Sequence, residues 1–263
     1  MDLQLLEKLA LVSGSTAGIG YSIAETLAAE GARVIVNGRT QPGVDAALAS
    51  IRKATGKDAI GFAGDLSDAA VAEALVRKHP GIEILVNNLG IFEAKSFEDI
   101  PDADWVRFFE VNVLSGARLA RLLLPAMRTA NWGRIIFISS ESGVHIPAEM
   151  VHYGMTKAAQ LAISRGLAES VAGTGVTVNA VLPGPTRSEG VADFFASMAK
   201  EQGMSEPEME KQFIALNRPT SLIKRLATVE EVANMVVYVC SRQASATTGA
   251  ALRVDGGVVR SIA

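Results

Sequence analysis

Seven short β-branched runs, each separated from the next by a longer segment, constrain this chain more than any other feature. "LALVSG" (9–14), "RVIVNG" (33–38), "AIGFAG" (59–64), "IEILVNN" (82–88), "RIIFISS" (134–140), "VTVNAVLPG" (176–184) and "GAALRVDGG" (249–257) read as strands. Between them, "GIGYSIAETLAAEG" (18–31) and "AAQLAISRGLAESVAG" (158–173) space their apolar residues at helical intervals and end on Gly. Strands this apolar need cover on both faces of the sheet. The alternation therefore predicts a single α/β domain, a doubly wound parallel sheet of seven strands with helices on either side.

The rhythm breaks once, over 185–227, in "PTRSEGVADFFASMAKEQGMSEPEMEKQFIALNRPTSLIKRLA". So long an excursion between two sheet strands reads either as an amphipathic helix pair packed on the body or as a substrate lid at about 186–226. Phe194, Phe195, Met198, Met204, Met209 and Phe213 supply its apolar content, and lean the second reading toward a partly hydrophobic substrate.

A net charge of −3 and the lack of any basic stripe argue against nucleic acid as a partner. No uncharged run reaches the roughly 18 residues of a membrane span, and the apolar start "MDLQLLEKLALVSGS" is broken by charges rather than built as a secretory signal. Cys240 is the one cysteine, which leaves no internal disulfide or thiolate cluster. The expectation is a cytoplasmic protein.

"SGSTAGIG" (13–20) links the first strand to the first helix. Gly14 permits a tight turn, Gly18 lets backbone approach a pyrophosphate, and Gly20 lets helix pack close on strand, the physics of a Rossmann-type dinucleotide site. The helix start adds unpaired N–H groups and a partial positive charge. At the end of the second strand stand Asn37, Gly38, Arg39 and Thr40, with no acid before Asp45. An NAD site places an acid there, whereas an NADP site supplies a cation. Arg39 is therefore expected to pair with a 2′-phosphate, making NADP the expected cofactor and NAD the alternative.

"EMVHYGMTKA" (149–158) places one of three tyrosines four residues before a lysine. Alone the spacing says little. On a helix it brings Lys157 to the same face as Tyr153, where a cation lowers the phenol pKa toward the range of a general acid or base.

Taken in order from Gly14 to Gly257, these motifs resemble the short-chain dehydrogenase/reductase family, in particular its 3-oxoacyl-carrier-protein reductases. "NNLG" (87–90), Asn112 in "EVNVLSG", "ISSESG" (138–143), "NAVLPGPTRS" (179–188) and "VDGG" (254–257) complete the set. The resemblance implies a tetrad of Asn112, Ser140, Tyr153 and Lys157, with the family's spacing choosing Ser140 over Ser139. Ser140 would polarise a carbonyl, Tyr153 would move the proton, Lys157 would hold the nicotinamide ribose, and Asn112 would hold a water leading to solvent. It also implies cofactor contacts from Gly14, Ser15, Thr16, Gly18, Ile19, Gly20 and Arg39, then Asp65 and Leu66 at the adenine. Asn87 and Gly90 would flank the ribose, and Pro183, Gly184, Thr186 and Ser188 would grip the carboxamide. Leu89 replaces the family's alanine and adds volume beside this site. For Asp65 the rival reading is a helix N-terminal acid.

The activity so implied is hydride transfer between NADP(H) and a small-molecule ketone or secondary alcohol. A 3-oxoacyl thioester, a sugar and a steroid-like alcohol all remain open as substrate. Alternatives are a non-catalytic dinucleotide sensor, an NAD-dependent sugar or alcohol dehydrogenase, and a nucleotide-sugar epimerase. Family members pair as dimers or tetramers through helices near 103–127 and 153–173, so a homo-oligomer is expected. Glu141 either points into water or recognises a polar substrate. His145 and His152 lack metal-ligand spacing, and no metal is expected.

Overall fold

Alternate residues of each strand point to opposite faces, and both faces are apolar here. In chain order the strands are β1 (Leu9–Val12), β2 (Arg33–Gly38), β3 (Ile60–Ala63), β4 (Ile84–Asn87), β5 (Gly133–Ile138), β6 (Val176–Pro183), β7 (Thr186–Arg187), β8 (Ala227–Thr228) and β9 (Ala251–Val254). Seven of them form one sheet in the order β3-β2-β1-β4-β5-β6-β9, parallel throughout. This computed structural model describes residues 1–262, leaving aside the side chains at 193–195, 197, 198, 201 and 202.

On one face Val12, Val34, Val36, Val86 and Ile136 pack under α1 (Gly18–Ala29), α2 (Gln41–Thr55) and, from the end of the chain, Val229–Cys240. On the other, Leu11, Ile35, Leu85, Ile135 and Phe137 meet α3 (Ala69–Lys78) and the helices Ser115–Thr129 and Val151–Ser170. Each fully buried Leu or Ile contributes roughly 1.5–3 kcal/mol of transfer free energy, which makes these two layers the dominant source of stability. No helix among the described residues is long and apolar enough to cross a membrane.

After β4 the chain enters α4 (Asp102–Phe109), widens into a π turn over Glu110–Leu114, and continues as α5 (Ser115–Thr129). Then α6 (Val151–Ser170) leads to β6. The excursion after β6 is the helix pair α7 (Glu189–Gln202) and α8 (Glu206–Asn217), followed by α9 (Val229–Cys240). β7 and β8 pair in parallel and fasten the two ends of the excursion together.

The excursion has a small core of its own, made of Ala199, Met209, Ile214 and Leu226, with Val191, Met204 and Phe213 packed against it. Met204, Met209 and Phe213 are therefore engaged in holding the two helices together, which removes them as an argument for an apolar substrate. Phe194, Phe195 and Met198 lie outside the described side chains.

The strand order reverses direction between β1 and β4. The loops after these two strands part there and leave a crevice at the carboxyl ends, the place where doubly wound sheets bind ligands.

Candidate active site

The glycine-rich loop lies at that crevice. Gly14 and Gly18 have φ of +61° and +58°, a left-handed backbone that favours glycine. α1 begins at Gly18 after Ala17, which offers no side-chain oxygen to its first N–H groups. Those groups point at the crevice with the positive end of the helix.

Two asparagines hold the loop. Asn88 Nδ2 donates to the Ser13 and Gly14 carbonyls at 3.0 and 2.9 Å, and the Gly14 N–H donates to Asn37 Oδ1 at 3.1 Å. Ser15 Oγ donates to the Val12 carbonyl at 2.7 Å. A Cβ at Gly20 would stand 2.4 Å from both Asn88 Nδ2 and the Gly14 carbonyl oxygen, so this position has no room for a side chain. Thr16 covers Gly38, and Ile19 packs on the core. Leu89 packs partly against the core on the α5 side and also abuts the loop, its Cδ1 lying 3.5 Å from a Cβ placed on Gly14 and its N–H donating to Ser13 Oγ at 3.0 Å.

The remaining positions gather around the same crevice. Arg39 is exposed at the end of β2. Asp65 accepts from the Ser67 N–H and hydroxyl at 2.9 and 2.7 Å, and the acid that caps α3 is Asp68. The helix-terminal reading of Asp65 is thereby corrected. Leu66 has its side chain in the core, which leaves only its main chain for a ligand.

Asn87 is 3% exposed, and neither of its side-chain polar atoms has a hydrogen-bond partner among the described residues. A Cβ on Gly90 would lie 3.5 Å from Asn112 Oδ1 and 3.6 Å from Lys157 Nζ. Pro183 and Gly184 end β6, and Thr186 Oγ1 donates to the Gly184 carbonyl at 2.9 Å. Ser188 precedes α7 and comes within 3.3 Å of a Cβ placed on Gly18. An uncapped helix start, an orphaned buried amide and close-packed glycines fit a dinucleotide.

Ser139 and Ser140 directly follow β5 and face different ways. Ser139 Oγ donates to the Lys157 carbonyl at 2.8 Å, whereas Ser140 Oγ hydrogen-bonds toward Tyr153. Lys157 is 5% exposed, and its Nζ donates to the Ile138 carbonyl at 2.9 Å and to Gln160 Oε1 at 3.3 Å. Asn112 lies in the π turn, a helix distortion frequent at functional sites. Its side chain accepts from the Ile91 N–H at 2.7 Å and donates to the Ile91 carbonyl and Thr156 Oγ1 at 2.9 and 3.0 Å. Its main-chain carbonyl accepts from Gln160 Nε2 at 2.6 Å.

The electrostatics differ from the expectation that a nearby ammonium lowers the phenol. Burial pushes Tyr153 above its ordinary value of 10, and the hydrogen bond with Ser140 only partly opposes it. Burial also brings Lys157 down to about 8. The two effects share one cause: the dry crevice disfavours charge on either group.

Glu141 does not point into water. It is 3% exposed and pairs with Arg218 Nε at 2.9 Å, while the Ser140 hydroxyl donates to its Oε2 at 2.5 Å. Sequence reading missed Asn37, Asn88, Thr156, Gln160 and Arg218 as site residues. Gln160 stands three residues after Lys157 on the same helix and could have been found by that spacing.

A switch-point crevice with a glycine-rich helix start, and a half-buried tyrosine beside a buried lysine, define a nucleotide-binding α/β enzyme fold. Residues 14–259 match the family model described as enoyl-(acyl carrier protein) reductase. "Uncharacterized oxidoreductase YvrD" of Bacillus subtilis is 49% identical over 100% of both chains. D-beta-hydroxybutyrate dehydrogenase of Cupriavidus necator is 35% identical, over 96% of this chain and 98% of its own. Among solved structures, L-sorbose reductase from Gluconobacter frateurii, complexed with NADPH and L-sorbose, matches with a TM-score of 0.93 at 31% identity over 100% of both chains. The chain belongs to the short-chain dehydrogenase/reductase family of oxidoreductases.

Proposed function

We propose that this chain is an NADP(H)-dependent carbonyl reductase, with Tyr153 as its proton donor and with the reverse oxidation of a secondary alcohol as its back reaction. The observation that carries the reading is the half-buried Tyr153 phenol, set between Ser140 and the Lys157 side chain beside the crevice. The sorbose reductase it resembles was crystallised with NADPH, which supports the cofactor assignment.

When bound, the nicotinamide supplies a hydride to the carbonyl carbon. The glycine loop and the start of α1 hold the pyrophosphate, and Arg39 pairs with the 2′-phosphate. A Cβ at Gly38 would press to 2.4 Å of Thr16 Cγ2, so an acid of the NAD-selecting kind enters that position only by displacing Thr16. Asp65 and the Leu66 main chain border the adenine, while Asn87 and Gly90 border its ribose. Pro183, Gly184, Thr186 and Ser188 face the carboxamide. Lys157 reaches the nicotinamide ribose, and the 186–226 segment closes over the substrate.

Ser140 and Tyr153 meet the carbonyl oxygen. The raised phenol stays protonated at neutral pH, as a donor must. An incipient alkoxide is on the order of pKa 16, like water, so the phenol still gives up its proton downhill. The Lys157 ammonium, eased toward about 8, can return a proton to the phenolate.

The outer faces of α5 and α6 form a groove of about 400 Å³ lined by small and apolar residues such as Ala117, Ala120, Leu124 and Ile163 together with Arg121 and Arg128. Small residues there allow another helix to approach, and we assign this face to a second copy in a dimer or tetramer. Sedimentation showing only monomer at micromolar concentration would contradict it.

The test of the activity is NADPH oxidation across a panel of ketones and aldehydes, repeated with NADH. Turnover with NADPH at a KM at least tenfold below that for NADH is expected. Equal KM values would remove the NADP assignment, and no turnover with any carbonyl would remove the enzyme reading.

A further inference from the structure

Carbonyl reduction uses Ser140 and Tyr153 but has no evident need of the carboxylate directly beside them. Glu141 divides its oxygens: Oε2 accepts from the Ser140 hydroxyl at 2.5 Å and from the Ser142 N–H at 3.0 Å, and Oε1 accepts from Arg218 Nε at 2.9 Å. Arg218 is the residue after α8, its side chain is 12% exposed, and its Nη1 turns back to the Asn217 carbonyl at 2.8 Å. Both charges act on the Tyr153 hydroxyl, the carboxylate raising the phenol and the guanidinium lowering it. The hydrogen bonds from Ser140 to Glu141 and from Arg218 to Glu141 put the pair directly behind Ser140.

Desolvating an ion pair offsets most of its attraction, so its presence against a ketone site is poorly explained by stability alone. Its hydrogen-bonding pattern offers a better reason. A hydroxyl has one proton, and while Ser140 gives that proton to Glu141 and accepts from the Ser142 N–H at 3.1 Å it has none to offer a substrate carbonyl. Arg218 has only donors. The wall beside the carbonyl thus presents acceptors next to a donor, with no net charge. A carboxylate placed there is repelled by Glu141. A methyl group leaves Ser140 committed to Glu141, so its proton stays unavailable to the carbonyl. A hydroxyl donates and accepts through a single oxygen and satisfies both sides.

We propose that the substrate carries a hydroxyl on the carbon next to its carbonyl, and that Glu141 and Arg218 read that hydroxyl. The inference rests on the reductase reading above and narrows its substrate class. The substrate hydroxyl donates to Glu141 Oε2 in place of Ser140 and accepts from the guanidinium of Arg218. Ser140 is then released to turn its own proton to the carbonyl oxygen, beside Tyr153. Recognition of the neighbouring hydroxyl and polarisation of the carbonyl become one event. Because Arg218 follows α8, the same event ties the helix pair to the catalytic wall. Phe92, edge-on to Tyr153 at 6.4 Å between ring centres, offers an apolar surface to the remainder of the substrate.

The test measures NADPH oxidation with two isosteric pairs, hydroxyacetone against 2-butanone and 2-hydroxyacetophenone against propiophenone. In each pair a hydroxyl stands in place of a methyl. We expect kcat/KM for the hydroxylated member to exceed its partner by at least about 50-fold, since only that member frees the Ser140 proton for the carbonyl. Glu141→Gln should bring that ratio below about 5, with kcat falling as well as KM rising, because the Ser140 proton is no longer handed over. That variant leaves Arg218 buried without its partner, so the double variant Glu141→Leu/Arg218→Met is run beside it. Replacing both charges by apolar residues of similar length is compatible with folding, which a thermal melt checks. In the double variant the ratio should also collapse.

A wild-type preference under about threefold, in an enzyme that does reduce 2-butanone or propiophenone, overturns the inference and leaves the reductase reading standing. So does activity confined to ketones without a neighbouring hydroxyl, or a preference that survives in both variants. Wild-type protein that oxidises NADPH with neither pair nor any other carbonyl overturns the reductase reading, and this inference with it.

Discussion

The Lys157 ammonium lies 5.5 Å from the centre of the Tyr153 ring and donates to the Ile138 carbonyl. No carboxylate bonds to it among the described residues; its partners are a carbonyl and an amide. Its charge is offset by those two neutral oxygens, and burial lowers its pKa to about 8.

A pH dependence follows from that burial. Between about 8 and the ordinary lysine value of 10.5 the unfolded chain holds a proton that the folded chain has released. Stability from this site is therefore lowest below pH 8 and rises as pH climbs from about 8 toward 10. Above pH 10 the Tyr153 phenol opposes the rise, since it ionises first in the unfolded chain. Lys157→Met should abolish the gain in urea midpoint between pH 7.5 and pH 9.5, without lowering the midpoint at pH 7.5.

His152 should make the protein acid-sensitive. It is fully buried, its ring 4.1 Å from that of Phe108 and 6.1 Å from that of Trp105, and burial pushes its pKa down. Glu93 and Asp104 act to raise it and Lys95 and Arg107 to lower it, but burial prevails. As pH falls through 6.5 the unfolded imidazole takes up a proton that the folded one refuses, so stability present above 6.5 is lost below it. His152→Leu should shrink the difference in urea midpoint between pH 7 and pH 5. An undiminished difference would place the acid sensitivity elsewhere.

The glycine loop makes a steric prediction. A methyl at position 20 would collide with the Gly14 carbonyl oxygen and Asn88 Nδ2, each 2.4 Å away. Gly20→Ala should cost about 1–3 kcal/mol of stability, the range of an overpacked site. It should also weaken NADPH binding by at least about tenfold, because the loop that meets the pyrophosphate must shift. Thermal melts and nicotinamide fluorescence titration measure the two effects.

Arg39 tests the cofactor. Arg39→Ala should raise the KM for NADPH by about tenfold or more, the loss of one charge-assisted fork, while the KM for NADH stays within about twofold. Parallel losses with both cofactors would show that Arg39 serves the loop rather than the 2′-phosphate.

The framework was legible because its signals are local. Each strand run and its covering helices repeat an apolar pattern that a window of about ten residues displays, and Gly14, Gly18 and Gly20 stand where backbone geometry demands them. Tyr153 and Lys157 are one helical turn apart, so their proximity was readable too. The Glu141–Arg218 pair was not, since its members are 77 residues apart and meet only after the excursion folds back. The β7–β8 ladder is likewise a two-residue contact between distant segments, with no pattern of its own. The direction of the Tyr153 shift was misread for a related reason: spacing along a helix reports the neighbouring charge but not the depth of burial, and here burial prevails.

Single-turnover reduction by Tyr153→Phe, with NADPH affinity measured on the same sample, tests the proton-transfer claim most directly. We expect the hydride-transfer rate to fall by at least about a thousandfold, within the range of a lost general acid, while the NADPH Kd stays within about threefold of wild type. A variant that keeps its rate within about fivefold, at unchanged NADPH affinity, would contradict Tyr153 as the proton donor.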